Sequence, residues 1–274
     1  MAALLALASS FVWGTADYFG GVMSKKRNPF AVVLVMQVFG LGFVSIWATL
    51  VGAWGFGPYW VGGMAAGVAG LLGLASFYAA LAAGTMGVVA PIAALGVVIP
   101  LSYGLLRGDQ PTSLQWMGIL VAIVGIMAAS GPELSGGVSA RPLLLAGAAA
   151  ALFGIALAFM ASGAEENPTM TIVAMRVMQV GIAVAVFLKW RGFGGITRED
   201  LPTVAFIGLC DVAANVLFAI AAGIGPLSIV AVLGSLPPIA TATLSAIILK
   251  ERLKPVQYVG VVLAMAGVVA INAG

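Results

Sequence analysis

Histidine is absent, cysteine occurs once, as Cys210, and only 8% of the 274 residues are charged. Without histidine, every mechanism that needs an imidazole is removed. A single cysteine excludes an internal disulfide and a thiolate metal cluster, and its expected role is a small buried apolar residue. A soluble globular chain carries about 25% charged residues, so this chain is too poor in charge to wet a surface. Its hydrophobic share is 62% and its mean hydropathy +1.15, which fits an integral membrane protein of the helical kind. A net charge of +3 from 12 cations and 9 anions makes no basic face, so no nucleic-acid partner is expected. There is no GxxxxGK[ST] loop and no soluble insert to hold ATP. Any uphill process would therefore draw on an ion gradient, and no cofactor or metal is expected.

A bilayer-crossing helix needs about 20 mostly apolar residues. Charges and turn residues cut the chain into ten such pieces, at roughly 2–22, 30–50, 60–83, 88–106, 114–130, 142–163, 171–190, 201–222, 228–249 and 256–272. Residues 28–106 carry no charge and divide into three spans at Gly55-Phe56-Gly57-Pro58 and Gly84-Thr85-Met86-Gly87. The opening MAALLALASSFVWG lacks a basic segment before its apolar run, and reads as the first membrane helix rather than a cleaved signal peptide. The apolar runs are continuous rather than alternating, which argues against an outer-membrane barrel.

The loops carry an orientation signal. In the ten-span arrangement Lys25, Lys26, Arg27, Arg141, Lys189, Arg191, Arg198, Lys250, Arg252 and Lys254 share one side, and only Arg107 lies on the other. The positive-inside rule makes the basic side cytoplasmic and puts both termini outside. Trp54, Tyr59, Trp60, Trp116, Trp190 and Tyr258 fall near span ends, where an aromatic belt belongs.

The two halves resemble each other. Val89-Ala90-Pro91-Ile92-Ala93-Ala94-Leu95-Gly96 precedes Val230-Ala231-Val232-Leu233-Gly234-Ser235-Leu236-Pro237 by 141 residues. Leu114-Gln115-Trp116-Met117-Gly118, followed by Gly125, precedes Val256-Gln257-Tyr258-Val259-Gly260, followed by Gly267, by 142. Five spans per half is an odd number, so the copies must be inverted. The expected fold is an all-α integral membrane protein with ten transmembrane helices in two inverted five-helix repeats, 1–135 and 136–274. Inverted repeats are common among secondary transporters, with the site near the midplane.

The tracts VVAPIAALGVVIPLSYGLLRGDQPTSLQWMGILVAIVGI at 88–126 and SIVAVLGSLPPIATATLSAIILKERLKPVQYVGVVLAMAGVV at 228–269 resemble the drug/metabolite transporter superfamily, in its EamA-type domains. KERLKPVQYVG at 250–260 is the most family-like piece. FVWGTADYFGGVMSKK at 11–26 is similar to the family's first-helix signature, and Arg176 to an arginine early in the second helix of a repeat. The sequence departs from the family with Gly108-Asp109 in place of Gly-Glu-Arg, and with Gln37 at the first-repeat counterpart of Arg176. Many relatives are thought to have both termini inside, opposite to the charge count here.

Ionisable residues inside spans are costly and are functional candidates by default. Asp211 lies ten residues after Leu201, about 15 Å along a helix and near the bilayer middle. Asn215 shares its face, and Gly70 takes its place in the other copy. The competing readings for Asp211 are a solute or proton site and a structural ion pair with Arg176. Asp17 shares a face with Ser10, Trp13 and Gly14. It reads either as one wall of a solute cavity or as a carboxylate reaching toward Lys25–Arg27. Arg176 could grip a substrate carboxylate or phosphate, but snorkelling toward Glu165-Glu166 is the favoured reading. Gln37 and Gln179 are weaker candidates for the same region. Tyr78 and Tyr103 could stack on an organic solute or pack in the core. Pro91, Pro100, Pro237 and Pro238 mark expected kinks that shape a cavity. Gly63, Gly67, Gly70 and Gly73, with the pairs Gly118/Gly125 and Gly260/Gly267, read as close-packing faces.

These features point to a secondary transporter exporting small organic metabolites, amino-acid-like or drug-like, across a bacterial plasma or inner membrane. A passive facilitator is the alternative; a lipid-acting enzyme lacks a reactive cluster. The expected solute site is Trp13, Asp17, Tyr78, Arg176, Asp211 and Asn215, with Asp211 as proton carrier and Asp17 next. A monomer or weak homodimer is expected.

Overall fold

The computed structural model describes residues 1–84, 86–129, 140–190, 195–248 and 255–274. These residues are helical almost throughout. The helices are α1 (Ala2–Lys26), α2 (Pro29–Leu50), α3 (Tyr59–Ala83), α4 (Met86–Ala94), α5 (Val98–Leu106), α6 (Ser113–Ala129), α7 (Ala140–Ala164), α8 (Pro168–Trp190), α9 (Leu201–Ile224), α10 (Leu227–Gly234), α11 (Pro237–Ile248) and α12 (Pro255–Ala273). Among the described residues, six helices are long and apolar enough to cross a membrane: α1, α2, α3, α7, α8 and α9. Shorter apolar helices occupy Ile92–Leu106, Ser113–Ala128, Leu227–Thr241 and Tyr258–Ile271.

Local chemistry sets several boundaries. Asn28 caps α2 by accepting from the Phe30 N–H at 2.9 Å, with Pro29 at the first helical position. Asn167 does the same for α8, accepting from the Met170 N–H at 3.0 Å. The helix therefore starts at Pro168, three residues earlier than the hydropathy suggests. The two proline-bearing segments differ. A 3₁₀ turn at Leu95–Val97 joins α4 to α5 without a gap, whereas Ser235-Leu236 interrupts α10 and α11. Pro237, lacking an N–H, then opens α11.

The outer surface is apolar. Leu4, Phe11, Ile46, Val61, Leu120, Leu144, Leu188, Val262 and Val269 are all exposed. Large continuous exposure of this kind suits lipid tails and not water. With no hydrophobic drive between helices in lipid, glycine permits close backbone contact instead. A Cβ at Gly67 would lie 2.6 Å from the Met175 carbonyl oxygen, and one at Gly208 would lie 2.5 Å from that of Met36. On the α6–α12 seam, Gly118 faces the Gly267 carbonyl oxygen at 2.9 Å on the same measure, and Gly125 faces that of Gly260 at 2.8 Å. Gly67→Ala should therefore cost about 1–3 kcal/mol, as overpacking does. Gly42→Ala should cost little, since a Cβ there meets nothing within 4 Å. Thermal unfolding of the two variants in detergent checks this; equal melting temperatures would remove the packing argument.

Side-chain contacts sort the loops into two ends. At one, Arg27 Nε pairs with Asp200 at 2.8 Å, and Pro142 packs against Gly84. The backbone N–H and hydroxyl of Thr197 donate to Asp200, and with Arg27 they hold its carboxyl below the usual range. Lys25, Lys26, Arg141, Lys189 and Arg198 share this end. At the other, Arg107 pairs with Glu165 at 2.8 Å and Asn167 donates to the Ala53 carbonyl at 3.2 Å. There too, Asp109 accepts from the Ser228 N–H at 2.8 Å. Arg191, the KERLK of KERLKPVQYVG (Lys250, Arg252 and Lys254 among it), Thr85 and the 135/136 boundary lie outside the described residues.

Candidate functional site

A cavity of about 140 Å³ lies between the helices. Its walls come from α1, α2, α3, α4, α7, α8 and α9 and from the interrupted α10–α11 segment. Most of the lining is apolar and aromatic, including Phe77 and Phe153. Along α3 it follows one face, Gly70, Leu74, Phe77 and Leu81, and so runs from mid-helix nearly to the Ala83 terminus at the basic end.

One polar network reaches the cavity. Arg176 on α8 is fully buried and its Nη2 donates to Asp211 Oδ2 on α9 at 2.6 Å. Its Nη1 donates to Gln179 Oε1 at 2.9 Å and also to Gln37 Oε1 on α2. Asn215, one turn beyond Asp211, donates to the Asp211 carbonyl at 2.6 Å and to its Oδ1 at 3.3 Å. Arg176 Nε and Gln37 Nε2 are buried and have no acceptor among the described residues. Buried ions are held only where partners offset their desolvation, and here the partners come from three helices.

Five of the six residues singled out from the sequence line this cavity: Trp13, Asp17, Arg176, Asp211 and Asn215. Trp13 packs against Phe218, with ring centroids 5.6 Å apart. Asp17 faces the cavity and has no ion pair with the described cations, Lys25 and Arg27 included. Tyr78 is not part of the lining. It is fully buried, and its hydroxyl donates to the Ala16 carbonyl at 3.4 Å, against the smooth side of α1 that Gly20 leaves. Tyr103 stands elsewhere, with the Arg107 guanidinium 6.0 Å from its ring centre.

Two expectations need correction. Arg176 does not snorkel to Glu165-Glu166, because the Asp211 carboxylate lies within reach and Glu165 is held by Arg107. Cys210 is half-buried rather than buried, because it sits one residue, about 100° around the helix, from inward-facing Asp211.

Sequence reasoning gave little weight to Gln37 and Gln179, and did not anticipate the hydroxyls that bond to backbone beside the cavity. Ser10 donates to the Leu233 carbonyl at 2.7 Å and accepts from the Leu236 N–H at 3.1 Å, satisfying backbone groups freed by the α10–α11 gap. Thr241 donates to the Gly14 carbonyl at 3.0 Å. The available signal for Gln37 was its place opposite Arg176 in the repeat.

Lipid-compatible helices around a desolvated ionic network define a multi-pass integral membrane protein with an internal polar site. The profile of the EamA-like transporter family matches residues 1–131 and again 140–273, and the chain belongs to that family. It is thus a membrane transporter of the drug/metabolite type. An uncharacterized protein of Methanocaldococcus jannaschii is 28% identical over 124 residues, which make up 45% of this chain and 90% of that protein. A solved crystal structure superposes with a TM-score of 0.78 at 17% identity, over 99% of this chain and 96% of that one, a likeness of fold.

Proposed function

We propose that this protein is a secondary transporter that exports small organic metabolites from the cell across its plasma or inner membrane. The observation that carries this reading is the cavity itself. It gathers two carboxylates, an arginine and an aromatic wall from helices of both halves, within an otherwise apolar bundle. The solute site is Trp13, Asp17, Arg176, Asp211 and Asn215, with Gln37 and Gln179 added.

The spans number ten, counting α4 with α5 and α10 with α11, in two inverted halves, 1–135 and 136–274. Paired contacts support this. Gly14 packs on the Pro237 carbonyl and Gly154 on that of Gly96, 140 and 141 residues apart, as Gly67 and Gly208 pack on Met175 and Met36. The two profile matches and a relative about half as long agree with it. The basic end is cytoplasmic by the positive-inside rule. The extension of the cavity toward that end favours loading from the cytoplasm, hence export. Lys25→Cys should resist impermeant thiol reagents in intact cells; ready labelling would reverse the orientation.

Coupling to protons runs through Asp17. Asp211 is already matched by Arg176, whereas Asp17 faces the cavity with no cation beside it among the described residues. A proton and a solute can then compete for one carboxylate, which gives exchange at a single site.

Counterflow into proteoliposomes tests the reading. Saturable exchange, enhanced by an imposed pH gradient, is the expected result. Flux that neither saturates nor responds to the gradient would favour a passive facilitator.

A further inference from the structure

The charges and hydrogen-bonding groups of the cavity together define the solute more narrowly. Three charged side chains line it: Asp17, Arg176 and Asp211. Arg176 and Asp211 cancel in a buried pair at 2.6 Å. Among the described residues this leaves one unmatched carboxylate, Asp17, which gives the site one uncompensated negative charge once its proton is released. Trp13 lies one turn before Asp17 on the same helix face, and a tryptophan ring attracts ammonium groups. These features call for a cation.

The second observation is independent of charge. Gln37 and Arg176 line the cavity and are fully buried, and each has a donor, Nε2 and Nε, with no acceptor among the described residues. Buried donors are nearly always satisfied. Two left open beside a cavity call for an acceptor on the solute. That acceptor need not be charged, because the guanidinium is already neutralised by Asp211. On the same solute a carboxylate would leave one negative charge unbalanced after the ammonium had matched Asp17.

Resting on the transport reading above, we infer that the cargo is a small amine carried as a monocation with a neutral acceptor, such as an amide, rather than a zwitterion. The ammonium lies against Asp17 and Trp13. The carbonyl oxygen accepts from Gln37 Nε2 and Arg176 Nε.

Four probes of similar shape separate the terms: L-valinamide, L-valine, isobutylamine and isobutyramide. Calorimetric titration into the detergent-purified protein should rank valinamide first. Valine, isobutylamine and isobutyramide should each bind on the order of 100-fold more weakly, since each leaves a buried polar or charged group unmatched. Asp17→Asn should abolish the advantage of valinamide over isobutyramide. Gln37→Met should reduce its advantage over isobutylamine, leaving the part that Arg176 Nε supplies; if that variant misfolds, the isobutylamine comparison in the wild type carries the same test. Valine binding as well as valinamide, or no binding by any of the four, would overturn the assignment. Failure of the transport reading would show differently, as absence of counterflow for a broad metabolite mixture in the same preparation.

Discussion

Asp17→Asn abolishes pH-driven accumulation, while downhill exchange of solute persists only at higher solute concentration. For one-proton exchange of a monocation, a gradient of one pH unit sustains about a tenfold concentration ratio, because one pH unit is worth 1.36 kcal/mol. Asparagine keeps the size of the side chain and its hydrogen-bonding reach but cannot release a proton, so the ratio should fall to about one. The assignment rests on geometry. Asp17 lines the cavity without a cationic partner among the described residues, whereas Asp211 is committed to Arg176 and Asn215. Radiolabelled uptake into proteoliposomes with an imposed gradient is the measurement. Undiminished accumulation by the variant would exclude Asp17 as the carrier and return that role to Asp211, the other carboxylate of the cavity.

Removal of Asp211 should do a different kind of damage. Asp211→Ala strips Arg176 of its counter-charge while the guanidinium stays fully buried. Breaking a buried pair in this way costs about 3–5 kcal/mol. Gln37 and Gln179 still accept from Nη1 but supply no charge. The double variant Arg176→Met with Asp211→Leu should recover most of the loss, because the desolvation penalty disappears with the charges. Unfolding monitored in a fixed detergent gives both values. A single variant within about 0.5 kcal/mol of the parent, the range of an ordinary surface change, would mean that the pair contributes nothing to the fold.

Much of the architecture was legible because lipid imposes a simple rule on sequence. Six runs of about 20 apolar residues are long helices, and the paired glycines fall where backbones touch. The site was legible to the extent that charge inside a span is rare. Asp17, Arg176 and Asp211 stood out for that reason, and Arg176 also for its likeness to a family arginine. Their partners did not. Whether Arg176 reaches a loop glutamate or Asp211 depends on the rotation of α8 against α9, and hydropathy holds no information about rotation. Tyr78 shows the same blindness. An aromatic with a hydroxyl looks like a ligand contact, yet it packs against Gly20 and bonds to backbone. Ser10 was mentioned only for its helix face, because a serine becomes informative only once a broken helix lies opposite it.

The buried arginine also constrains how the chain is made. Arg176 emerges from the ribosome 35 residues before Asp211 and 139 after Gln37. Released alone into lipid, α8 would carry an unpaired guanidinium, at about 2.5–3.5 kcal/mol even on the mildest insertion scale. Gln37 can accept a hydrogen bond at that stage but cannot neutralise the charge. Biosynthesis therefore favours holding α8 at the insertion machinery until α9 has been synthesised, so that the two enter the bilayer as a hairpin. Integration of α8 and α9 is then a paired event, timed by the arrival of one carboxylate.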